Sequence, residues 1–186
     1  MKKNLGVKAA VYPLPVLIIA TYNPDGTANA MNAAWGTVAD TNQVAICLSH
    51  GHKTVKNIME RKAFTVSMAD ASLVKESDYF GIATGNKVED KVKKAGLTAV
   101  KSEFVDAPVI EEYKLTLECE FVSYDPETEF MFGEIKNTLV DEDILLESGG
   151  IDIAKFRPIA FDTLNKSYVV LGEKVGNAFS DGKEIN

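Results

Sequence analysis

Six consecutive residues, Ser49-His50-Gly51-His52-Lys53-Thr54, gather hydroxyl, imidazole and ammonium groups into one short segment. They lead into residues 54–61, where Val55, Ile58 and Met59 recur at helical spacing. A helix N-terminus presents unpaired N–H groups and a partial positive charge. Lys53 and Lys56 are unfavourable beside a bare positive end. A bound phosphate would satisfy the N–H groups and the lysines together, with Thr54 adding a hydroxyl hydrogen bond. The plainer alternative is that Thr54 only caps the helix and the lysines are solvated. His50 and His52, with Cys47, also invite a metal or haem reading. His-x-His supplies two ligands where a closed zinc site needs four, so the expectation is one histidine near a ligand and one in solvent.

A second segment, Asn29-Ala30-Met31-Asn32-Ala33-Ala34-Trp35-Gly36, is unusual for a strand because alanine and asparagine replace the β-branched residues a packed strand favours. Small side chains let a flat ligand approach the backbone, and the Asn32 amide can both donate and accept on the ligand's edge. A crowded strand crossing would select the same residues. A third segment, Tyr79 through Gly85, ends a helix in a turn of small residues and could wall a pocket. Asp90-Lys91 reads as a surface ion pair. There is no Ser/His/Asp pattern, no GxGxxG after a strand and no P-loop, so any redox or transfer chemistry must come from a cofactor.

The elements that must position these groups are mostly strands. Residues 16–22 and 27–38 flank the turn Asn23-Pro24-Asp25-Gly26 and read as a hairpin. Residues 43–49 form an apolar strand, and 63–68 another. Asp70 reads as the N-cap of a helix over 72–82. Asn86 and Glu89, at capping-box spacing, with Gly96 as a terminating glycine, predict a short helix over 88–95. Residues 114–124 alternate, with Leu115, Leu117, Cys119 and Phe121 on one face, and return through Asp125-Pro126-Glu127-Thr128 into 129–140. Short strands follow at 159–161 and 168–171, then a polar tail from Gly176. Hairpin spacing with few helices between the strands predicts a mainly β, antiparallel barrel in one domain spanning 1–186.

Composition narrows the partners. The chain of 186 residues carries a formal net charge of −7, which disfavours nucleic acid and anionic membrane surfaces. Cys47 and Cys119 lie in apolar stretches and read as buried thiols of a reducing cytoplasm. No signal peptide or membrane-spanning run is expected.

In this order the motifs resemble the flavin reductase-like family of FMN-binding split barrels, closest to its flavoredoxin branch. The resemblance rests on Asn29 through Trp35, His52-Lys53-Thr54 with Asn57-Ile58, and Ala63 through Ser67. It continues in Asp78 through Ala83, Asp90-Lys91, Ala107-Pro108, Leu117-Glu118-Cys119, Phe132-Gly133-Glu134, Tyr168 with Leu171-Gly172, and Ala178-Phe179. It implies a split barrel with short peripheral helices and a homodimer with FMN near the subunit interface. The ring would lie along Asn32, Ala33, Ala34 and Trp35, and the phosphate in the turn holding Ser49, His50, His52, Lys53 and Thr54. Ala83 and Lys91 would make further contacts, and Tyr168 would line the partner's site. The implied activity is a flavin-dependent oxidoreductase taking electrons from NADH, NADPH or a redox protein. The alternative is an electron carrier that turns over no small substrate.

Overall fold

The computed structural model describes residues 1–185. The described residues form twelve strands and four α-helices, with the strands mostly in uninterrupted runs. Seven of the strands form one curled antiparallel sheet: β2 (Leu17–Tyr22), β3 (Ala28–Ala33), β4 (Gly36–Asp40), β5 (Gln43–Cys47), β6 (Ala63–Met68), β9 (Leu115–Tyr124) and β10 (Phe130–Val140). Their spatial order is β3-β2-β6-β9-β10-β5-β4. A three-stranded sheet of β1 (Leu14–Pro15), β11 (Ile159–Asp162) and β12 (Ser167–Val170), in the order β1-β11-β12, and the pair β7 (Ala99–Lys101) and β8 (Pro108–Ile110) complete the strands.

The predicted hairpin forms as expected at its turn. Gly26 takes φ 84°, which favours glycine, and its N–H reaches the Asn23 carbonyl at 3.0 Å. The strand expected over 27–38, however, is two strands. β3 pairs with β2, whereas β4 pairs with β5. The break falls at Ala34-Trp35, so two residues connect opposite edges of the seven-stranded sheet. This is the seam of a split barrel: its edges are joined covalently but not by ladder hydrogen bonds.

Alternation along the strands sends one set of side chains inward. Leu17 and Ile19, Val44 and Ile46, Phe64 and Val66, Cys119 and Met131 pack as the barrel core. Helix α1 (Lys53–Arg61) plugs this core with Val55 and Ile58, while Met59 on the same helix is exposed. The outer face of β2 and β3 is also buried. Ile18, Ala20 and Ala30 meet Phe80 of α2 (Val74–Ile82), Val92 of α3 (Lys91–Lys94), Ile110 and Ile159.

Two predicted helices differ in their starts. Asp70 accepts from the Ser72 N–H at 2.7 Å in a local turn, and α2 begins later, at Val74, without a side-chain cap. The helix expected over 88–95 is only Lys91–Lys94, because Asp90 sits in the left-handed region at φ 51° and stops it extending toward Asn86. Gly96, at φ 76°, ends it as expected.

Candidate functional site

A cleft of about 140 Å³ lies where α1, β3 and the end of α2 converge. One side is the start of α1, with His52, Lys53 and Thr54. The floor is Asn29, Met31 and Asn32 of β3. The far wall runs from Phe80 through Gly85, with Lys91 behind it. Six of the residues proposed from sequence are therefore brought together: Asn32, His52, Lys53, Thr54, Ala83 and Lys91.

The start of α1 is uncapped by any side chain. His52, the N-cap residue, makes no side-chain bond to the helix, and the first turn holds no acidic residue. The orphan N–H groups of this turn thus have no side-chain acceptor from the N-cap residue, and Lys53 lines the cleft beside them. Thr54 is buried, and its hydroxyl accepts from the Asn29 amide at 2.9 Å. It anchors the helix start to the floor and keeps its own proton for an acceptor.

The far wall is built for close approach. A Cβ on Gly85 would stand 2.3 Å from Asn29 Oδ1, and one on Gly81 would touch Asn32 Cβ at 3.4 Å. Asn86 ties this wall to the turn before α1 by donating to the Gly51 carbonyl at 3.0 Å. The Asn32 amide donates to the Ser77 carbonyl of α2 at 2.9 Å, leaving its own carbonyl oxygen for another donor.

Lys91 is only 2% exposed, contrary to its reading as a surface ion pair. Its ammonium donates to the Phe80 carbonyl at 3.3 Å and has no carboxylate partner among the described residues. Burial lowers its pKa from the usual lysine range to about 8. A buried ammonium with one long hydrogen bond fits a ligand edge rich in acceptors.

The remaining residues lie elsewhere in the protomer. Ala33 is buried in the barrel core, and Ala34 and Trp35 form the seam, with Trp35 59% exposed. Ser49 and His50 turn to Glu129 instead: the Ser49 hydroxyl donates at 2.7 Å, and the His50 N–H at 3.2 Å, with Nδ1 also at 3.2 Å. The Ser49 hydroxyl is the main reason the Glu129 carboxyl is held below the usual range. Tyr168 donates to Asp78 of its own chain at 2.8 Å, and burial, reinforced by that carboxylate, pushes its phenol up to about 12.

Asn29 and Met31 lie within the small-residue segment, and Gly85 ends the segment expected to wall a pocket; all three line the cleft, although none was named as a ligand contact. Glu129 had no local signal. Among the described residues no group of three or more His, Cys, Asp or Glu could hold a metal ion. No described helix is long and apolar enough to cross a membrane.

The curled sheet, its seam and this cleft define a split-barrel flavoprotein fold. Residues 9–154 match the model of the flavin reductase like domain. The chain belongs to the flavin reductase-like family, in its flavoredoxin branch. It superposes on flavoredoxin of Desulfovibrio vulgaris (Miyazaki F) with a TM-score of 0.93 and 36% identity, over 98% of this chain and 100% of that one. Flavoredoxin from Methanosarcina acetivorans matches with a TM-score of 0.86 and 29% identity, over 100% and 98% of the two chains. An uncharacterized protein of Aquifex aeolicus is 30% identical over 82% of this chain and 82% of its own length.

Proposed function

We propose that this protein is an FMN-dependent oxidoreductase of the cytoplasm that works as a homodimer, passing electrons from a reduced nicotinamide or a redox protein to an acceptor. The observation that carries the reading is the cleft itself. It couples an uncapped, lysine-flanked helix start to a floor and wall made of Asn32, glycine backbone and the buried Lys91. Lys53 and the α1 N–H groups would hold the phosphate, Asn32 and Lys91 the polar edge of the ring. FMN, when bound, supplies reversible hydride and single-electron chemistry. The chain's own residues bind and orient it, and the unpaired Lys91 ammonium would favour negative charge on the ring's edge.

The cleft volume supports the dimer. At about 140 Å³ it is well below the ~300–1,000 Å³ of ordinary ligand pockets. A second copy would enlarge and close the cleft that this chain lines on three sides. Trp35 of the seam, at 59%, and Val38 of β4, at 68%, would supply apolar surface for that copy.

The test is the visible spectrum of the purified protein, followed by anaerobic NADH and then NADPH. A yellow protein that bleaches promptly with either nucleotide is expected. A colourless protein that also fails to take up added FMN would overturn the reading. A second reading, an electron carrier that turns over no small substrate, is favoured by the high similarity to two flavoredoxins. A flavin that bleaches only with a reduced protein donor would select it.

A further inference from the structure

The residues matched to the family end at position 154, before β11 and β12 begin. Tyr168 on β12 nevertheless reaches α2, the helix whose end walls the cleft: its hydroxyl donates to Asp78 Oδ1 at 2.8 Å. Its ring packs against Phe161 of β11, centroid to centroid 5.8 Å. Asp78 follows Ser77 on α2, and Ser77 receives two more ties. Its carbonyl accepts from the Asn32 amide at 2.9 Å, and its hydroxyl meets the buried Tyr113 hydroxyl at 2.9 Å. One turn further on, Phe80 through Ile82 form the cleft wall.

Helix α2 needs such ties. It has nine residues, no side-chain cap, and only Ser77 and Phe80 buried. An isolated helix of that length is marginal in water, and its orientation comes from tertiary contacts. Tyr113 and Tyr168 grip successive residues from two sides, which fixes the helix in rotation as well as in position.

We infer that Tyr168 is a positioning residue of the flavin cleft, acting through Asp78 to set the rotation of α2 and with it the Asn32 amide and the Phe80-to-Ile82 wall. The inference rests on the flavin reading of the cleft. It assigns the C-terminal sheet a role in its own protomer's site.

The test compares wild type with Tyr168→Phe and Asp78→Asn in three measurements: FMN affinity, the visible spectrum of the bound flavin, and amide hydrogen exchange. Loss of a hydrogen bond worth ~1–1.5 kcal/mol corresponds to roughly 5–10-fold in Kd. Tyr168→Phe is expected to weaken FMN by that factor and to shift the flavin bands. It should speed exchange over residues 74–82 while leaving 53–61 unchanged. Asp78→Asn, which keeps an acceptor at Oδ1, should stay close to wild type in each measurement. Affinity within twofold of wild type with an unchanged spectrum and unchanged exchange in α2 would overturn the inference, even if the melting temperature fell. If wild type bound no FMN, the flavin reading would fail separately, and the exchange pattern alone would still decide whether Tyr168 sets α2.

Discussion

The two edges of the barrel sheet are neighbours in sequence and opposites in environment. β3 is covered on its outer face by α2 and α3 and forms the floor of the cleft. β4, two residues later, is almost wholly exposed. Small residues in β3 permit the cover. An edge covered by helices becomes a ligand-binding floor, while an edge left open is an unpaired ladder that needs another chain or a means of avoiding one.

Matched substitutions break this comparison most sharply. Ala30→Asp places an unpaired charge in a fully buried position and is expected to cost about 3–5 kcal/mol in urea unfolding. Val38→Asp, on the open edge, should stay within about 0.5 kcal/mol at concentrations where the protein is monomeric. It should also lower the dimer fraction in sedimentation at higher concentration. A similar large loss at both positions would show that the edges do not differ as described.

The covered edge has a chemical counterpart in Lys53. Lys53→Ala removes a charged donor from the open start of α1, worth about 1.5–3 kcal/mol or on the order of 10–100-fold in Kd for FMN. Unchanged flavin retention in dialysis would contradict the phosphate assignment. Gly85→Ala drives a methyl group against Asn29 Oδ1 and so disturbs the Asn29–Thr54 hydrogen bond. A loss of about 10-fold in FMN affinity is expected from a bond worth ~1.4 kcal/mol. Wild-type affinity would show that the floor tolerates the displacement.

The smallest effect is one of pH, at Lys91. Its pKa is lower when folded, about 8 against 10.5, so the unfolded chain holds the proton more tightly. Burying the charge therefore opposes folding of the flavin-free protein below pH 8. That penalty fades as pH rises from about 8 to 10.5. Lys91→Met should remove the penalty, raising stability at pH 7 by about 1 kcal/mol while weakening FMN. A variant less stable than wild type across that range would contradict the account.

Much of the barrel was legible because its strands carry their own periodicity. β6 has the predicted bounds, and Leu117, Cys119 and Phe121 pack on the barrel core as their alternation implies. The division of residues 27–38 was not legible. Alternation says that a residue is in a strand, but not which strand lies beside it, and the break at Ala34-Trp35 is set by pairing to β2 on one side and β5 on the other. Lys53 and Thr54 of the segment before α1 line the cleft, whereas Ser49 and His50 bond Glu129, which lies far along the chain just before β10 and has no local signal. Lys91 looked like surface because lysine is almost never fully buried. Only the packing of α3 over β3 shows otherwise.

The two-residue seam also governs how the chain acquires its shape. The hairpins β2–β3 and β4–β5 close locally, yet they must end at opposite sides of a sheet whose middle strands come from later in the sequence. The first hairpin docks on β6 and the second on β10, so the sheet is complete only once β6, β9 and β10 have assembled and β5 has paired with β10 far along the chain. Such non-local closure places this barrel among slow-folding topologies. The tether at Ala34-Trp35 shortens the last search by holding the two hairpins together throughout. In a kinetic map of the folding transition state, substitutions in β6 and β9 should slow folding, whereas those in β3 and β4 should mainly speed unfolding.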